Sequence, residues 1–250
     1  MTRFEYPFNE RVRAWMRLEY LLDRLKFFSG SGDARLHQVA LTALFDVLDA
    51  TERTDVKGGI MQDLERQKIT LSALKDHPGV DERALAEVIR EIDAAHAALS
   101  ALGRTGQALR DNDWLTSLRG RLALAGGGTQ VDMPSFHAWQ CQSDEVRCAD
   151  LHRWIDPLLP LDQGIGLIMR LLRQSGETQD EVARQGAFQQ MLGGKSYQLL
   201  RVWIDPGLGV FPEMSANKYM AWIRFSEQAG DAKPQPVQRD VPFRYALCTL

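Results

Sequence analysis

His137, Cys141, Cys148 and His152 form a His-x3-Cys-x6-Cys-x3-His array, which contains the nitrogen and sulfur donors that a tetrahedral zinc site takes. The gap between the cysteines is wider than the roughly two to four residues of a zinc knuckle, and unpaired cysteines are common in cores. No metal is therefore expected. Gly193-Gly194-Lys195-Ser196 resembles the end of a phosphate-binding loop. The first glycine of that motif would fall at Gln189, and strand-like residues follow where a helix is required, so turn glycines are the better reading. Gly164-Ile165-Gly166 lacks the third glycine of a dinucleotide fingerprint. Ser135, His137 and Cys141 offer a nucleophile and a base, but nothing places a third, orienting group. No catalytic residue and no cofactor emerge from these patterns.

The remaining chemistry is that of guanidinium groups. In Phe4 to Leu25, Val12, Trp15, Leu18, Leu22 and Leu25 recur at helical spacing as a buried face, while Arg13, Arg17, Tyr20 and Arg24 form a second stripe beside it. Such a stripe suits carboxylates or phosphates. Asn9 is placed to cap that helix, and Phe4-Glu5-Tyr6-Pro7 before it has strand character.

The elements that must position these groups differ between the two halves. A chain of 250 residues, 44% hydrophobic and 25% charged, is globular rather than disordered, and its net charge of -3 gives no general attraction to nucleic acid or anionic membrane. Three cysteines without framework spacing, and no apolar run of signal or membrane-spanning length, point to a cytoplasmic protein. From Asn9 to about Ala125 the apolar period is helical, with Asp33 and Asp81 as further caps and His77-Pro78-Gly79 as a break. After Gly126-Gly127-Gly128, three segments alternate like strands: Tyr197 to Asp205, Tyr219 to Phe225 and Val241 to Leu247. Gly230 to Pro236 is long enough to turn one strand back upon the next. Helical periodicity returns between Asp144 and Gln174. The expectation is an α+β fold: a helical bundle over 9–125 on which the helices of 144–175 pack, and an antiparallel β-sheet domain over 126–250 joined by the N-terminal strand 3–7.

The start Phe-Glu-x-Pro-x-Asn-Glu, with Arg13, Trp15, Arg17 and Glu19, resembles the ZapD family of bacterial Z-ring-associated proteins. The similarity continues in family order through Phe45 to Asp49, Glu52-Arg53, Asp63 to Gln67, Pro78 to Asp81, Gly106 to Arg110, Asp132-Met133-Pro134, His137 to Trp139, and Ile223-Arg224-Phe225. The resemblance implies a non-enzymatic homodimer that binds the C-terminal tail of FtsZ and bundles its filaments at the mid-cell division site. It implies Arg17, Arg53, His137 and Arg224 as the tail-binding residues, with Arg110, Arg119, Arg121 and Lys218 in second rank. Asp113 and Met220 depart from the family pattern, standing where further arginines are expected. A nucleic-acid-binding surface built from the arginine stripe with Trp15, Tyr20, Trp203 and Trp222 is the alternative, and the net charge of -3 argues against it.

Overall fold

A computed structural model describes residues 1–52, 55–75 and 77–250. The chain divides into two compact units, one formed by Met1–Arg13 with Met169–Leu250 and the other by Ala14–Ile168. The fold is α+β, with helices concentrated in the second of these and antiparallel sheets in the first.

The helical unit is built from α1 (Glu10–Ser29), from Ala14 onward, followed by α2 (Ala34–Glu52), α3 (Val56–Ser72), α4 (Glu82–Ala101), α5 (Gln107–Arg110), α6 (Asp113–Leu122), α7 (Pro134–Gln140), α8 (Asp144–Ile155) and the start of α9 (Leu159–Gln174). Trp15, Leu18, Leu22 and Leu25 of α1 are each at most 2% exposed, so the helical period read from the sequence is the one that is buried. Asn9 accepts from Val12 N–H at 2.9 Å, Asp81 from Arg83 and Ala84 N–H, and Asn112 from Leu115 N–H, which satisfies the first-turn donors of three helices. The glycine triplet lies inside this unit, in the turn after α6. A Cβ on Gly127 would sit 2.0 Å from the Arg121 carbonyl oxygen, so the chain passes there only without a side chain.

Aromatic rings of α6, α7 and α8 fill one region: Trp114 stacks on Trp154 at 5.6 Å and Phe136 on Trp139 at 5.8 Å. Beside them lies a buried polar node. Arg147, 6% exposed, donates Nε–H to His37 Nδ1 at 3.2 Å and Nη2–H to Gly32 O at 2.6 Å, and reaches Gln140 O and Gln142 O through Nη1. The His37 Nε2–H donates to Ser31 O. The guanidinium thereby ties the α1–α2 turn to the α7–α8 turn.

The strand unit contains β1 (Thr2–Pro7), β2 (Gln179–Ala183), β3 (Ala187–Met191), β4 (Leu199–Ile204), β5 (Val210–Ala216), β6 (Met220–Glu227), β7 (Gln235–Pro236) and β8 (Val241–Cys248). They form two antiparallel sheets, ordered β1-β4-β8-β2 and β3-β6-β5, with β7 added to β6. The segment from Gly230 to Pro236 does not fold β8 back beside β6, as the sequence suggests. It carries the chain from one sheet to the other, because Ile223 and Phe225 of β6 and Val241 and Phe243 of β8 are buried in one shared core; the Phe225 and Phe243 rings are 5.2 Å apart. Two strands that each present an apolar face bury more by facing one another than by lying edge to edge.

β1 is held by an ionic clasp. Glu5, directly opposite Arg201 in the ladder, accepts from Arg173 Nη2–H at 2.8 Å and from Arg201 Nε–H at 3.1 Å, and Arg201 also donates to Arg173 O at 2.7 Å. Their side chains are 9–19% exposed, so these are hydrogen-bonded charges largely shielded from water.

Candidate functional site

Arg224 stands on β6, flanked in register by Ala187 of β3 and Glu213 of β5. Ala221, Ile223 and Phe225 occupy the core, so Met220, Trp222 and Arg224 share the outer face of the sheet. Glu213 is the natural ion-pair partner across the ladder. Its carboxylate instead accepts the Ser226 hydroxyl at 2.9 Å, and among the described residues Arg224 has no ion pair. A shallow depression of about 250 Å³ runs over the three strands, with Trp222 and Arg224 on its rim and the small Ala187 and Ser215 leaving it open. An exposed guanidinium without an ion pair, beside an indole and with the Glu213 carboxylate engaged by Ser226, is suited to an incoming anionic group that carries some apolar surface.

Lys218 lies in the turn that starts β6, held by Asn217 Oδ1, which accepts from the N–H groups of Tyr219 and Met220 at 2.8 and 2.9 Å. Its Nζ is 5.8 Å from the Tyr219 ring centre. It lines a second depression, of about 280 Å³, with Lys195, Ser196, Tyr197 and Phe8, so that two ammonium groups and no carboxylate face it. Gly193 and Gly194, both at positive φ, make the tight turn that presents Lys195. They lead toward β4 with no helix after them, which leaves no frame for a phosphate-binding loop.

In the helical unit Arg17 is exposed on α1, opposite the buried Trp15 and Leu18, with no ion pair among the described residues. Its neighbours in the stripe are engaged. Arg13 pairs with Glu10 at 3.0 Å, and Arg24 lies 5.7 Å from the Tyr20 ring centre. Arg53 lies outside the described residues. The segment on either side of it, Thr51, Glu52 and Asp55 to Lys57, lines a hollow of about 330 Å³ with Arg104 and Arg110. Arg110 is half-buried and bonded inward. Its guanidinium donates to Leu48 O at 2.7 Å and to Thr51 Oγ1 at 3.2 Å, and also reaches Thr105 O, which satisfies carbonyls near the end of α2. Arg119 pairs with Asp49. Arg121 is exposed near the end of α6, and Asp113 occupies its first turn.

His137 is exposed on α7, with Nε2 3.7 Å from the Cys141 sulfur one turn on. The other half of the His/Cys array points elsewhere. Cys148 faces the carbonyls of Ser29 and Ser31 and lies 3.8 Å from His37 Nε2, while His152 is exposed on α8. Among the described residues no three His, Cys, Asp or Glu side chains gather as a metal would require. Trp15, 1% exposed, is unavailable for the stacking that a nucleic-acid surface would need. Among the described residues no helix is long and apolar enough to cross a membrane.

Thus the helical unit contains Arg17, Arg110, Arg119, Arg121 and His137, and the strand unit contains Arg224 and Lys218. Lys57 and Arg104, which share the hollow beside Thr51, were not distinguishable in the sequence from other surface cations, and Lys195 drew notice only as part of a rejected phosphate-loop pattern.

A model of the family described as "ZapD: Cell division protein" matches residues 16–224. The chain is 63% identical to cell division protein ZapD of Bordetella pertussis over 246 residues, covering 98% of this chain and 97% of that protein. It is 60% identical to the Bordetella petrii protein of the same name and 48% identical to that of a Janthinobacterium species, each covered over 100% of both chains. With that match running from the arginine-bearing helix α1 to Arg224 itself, the chain belongs to the ZapD family of cell-division proteins.

Proposed function

We propose that this protein is a non-enzymatic adaptor of the cytoplasmic division apparatus, which captures the C-terminal tail of FtsZ and, as a homodimer, bundles FtsZ filaments at the Z-ring. The observation that carries the reading is Arg224: an exposed guanidinium on a sheet face whose cross-strand carboxylate is bonded to Ser226 instead. Arg17, exposed and without an ion pair among the described residues, has the same character, and His137 is an accessible imidazole. Arg53 completes the set by family resemblance. Arg110 and Arg119 contribute less to a ligand because they are engaged within the helical unit; Arg121 and Lys218 remain accessible.

Three or four charge-assisted hydrogen bonds at about 1.5–3 kcal/mol each, less the cost of ordering a disordered peptide, give an affinity near micromolar, about -8 kcal/mol. Such single contacts are brief. Two sites on a dimer raise the effective concentration of the second tail, which is how weak capture joins filaments.

Co-sedimentation tests the reading. Filaments of FtsZ should pellet with the protein in bundles, and filaments of FtsZ lacking its tail should not; equal pelleting of both would sink it.

A further inference from the structure

The outer face of the β3-β6-β5 sheet carries an apolar ladder as well as a cation. Met191 and Met220 are direct partners across β3 and β6, and the next pair on that face is Gln189 with Trp222, followed by Ala187 with Arg224. Met191 is 73% exposed, and Tyr219, beside Met220, is 65% exposed. Scattered apolar residues on a surface need no explanation. Here they follow one another along the ladder, between Arg224 on β6 and Lys218 in the turn that starts it, and Arg224 lacks an ion pair among the described residues although Glu213 lies across from it.

We propose that this face is a docking strip for an extended peptide segment in which acidic residues flank apolar ones: Arg224 and Lys218 hold the carboxylates, and Trp222, Met220 and Met191 hold the apolar side chains. The inference rests on the tail-capture reading and specifies what the strand unit recognises in the tail. Successive outer-face residues of β6 are about 7 Å apart, and Met220 to Arg224 spans about 13 Å. A peptide laid along β6 in extended form presents side chains at i, i+2 and i+4 with the same spacing, so one carboxylate and two apolar groups fall in step. A helical ligand would need about nine residues to cover the same distance. Methionine adapts to apolar groups of different shape, so the strip should tolerate exchange among Leu, Ile and Phe while rejecting polar replacements at those ligand positions.

The test is fluorescence anisotropy with a labelled peptide of the FtsZ tail from the same organism. The proteins compared are the wild type, the Met191→Ser/Met220→Ser double variant, Met220→Leu and Arg224→Gln, with thermal melts to confirm that each is folded. The double serine variant should bind about tenfold more weakly, equivalent to 1.4 kcal/mol, and Met220→Leu should bind within about twofold of wild type. A peptide whose apolar residues are replaced by serine should lose about the same against wild type, and little more against the double variant. Unchanged affinity in the double serine variant overturns the apolar strip while leaving tail capture through the cations intact. Failure of the wild type to bind the peptide at all overturns tail capture and the strip with it.

Discussion

Arg147 brings a charge into the helical interior and satisfies it with carbonyl oxygens and one imidazole lone pair. That arrangement works only while His37 is neutral, with its proton on Nε2, since a proton on Nδ1 would face the Arg147 Nε–H. Burial, and next to it the Arg147 charge, hold the His37 imidazole below its usual 6.5, against the opposing pull of the Ser31 carbonyl, Asp33 and Asp144. The unfolded chain therefore binds this proton more readily than the folded one. The stabilisation is fully present above about pH 6.5 and is lost as pH falls from there through the folded value. Urea midpoints measured between pH 5 and 7.5 should rise with pH in the wild type, and the slope should flatten in His37→Gln, whose amide can still accept from Arg147 and donate to Ser31. An equal slope in both would assign the dependence to other groups. At the surface, Arg224→Glu and Arg17→Glu should each weaken tail binding at least tenfold without lowering the melting temperature. Unchanged affinity would make them ordinary surface arginines, whose exposed pairs contribute only about 0–1 kcal/mol.

At the scale of elements, β1 depends on its clasp. Glu5→Ala would leave Arg173 and Arg201 without their shared carboxylate, and breaking a shielded pair in this way costs about 3–5 kcal/mol. Denaturant titration should show that loss, and a change below about 1 kcal/mol would mean that water already screens the cluster. The helices over 10–122 and 144–174 were readable because their burial follows the apolar period, and β4, β6 and β8 because Val202, Ile223 and Phe243 alternate with outward residues; α7, a seven-residue helix in the stretch expected to belong to the strand domain, was not. β2, β3 and β5 were not read as strands. Gln179–Ala183 and Ala187–Met191 have mostly exposed or half-exposed side chains, so their strand form comes from pairing with β8 and β6 rather than from an apolar pattern of their own. Alternation also says which side of a strand is buried but not which strand lies next to it, which is why one sheet was expected where two share a core. Little of the candidate site was open to the same reasoning. Arg224 stood out through family resemblance alone, and its lack of an ion pair depends on a carboxylate–hydroxyl bond between neighbouring strands that no spacing rule reveals.

At the scale of the whole molecule, a net charge of -3 gives no overall pull on an anionic ligand, so the tail capture proposed above must draw on attraction that is local and short in range. Raising salt from 50 to 500 mM should weaken tail binding severalfold, and bundling more steeply than single-tail binding, because bundling uses two sites at once; sedimentation and anisotropy in the same buffers measure the two. The connectivity of the strand unit has another effect, on the making of the protein. β1 is translated well before its partner β4, which lies some two hundred residues later, at Leu199–Ile204. During synthesis the sequence of the helical unit, Ala14–Ile168, is complete while the first strand still has no ladder to join. A growing chain therefore carries β1 without its partner until β4 has left the ribosome, and closing that long loop is the natural slow step in forming this ladder.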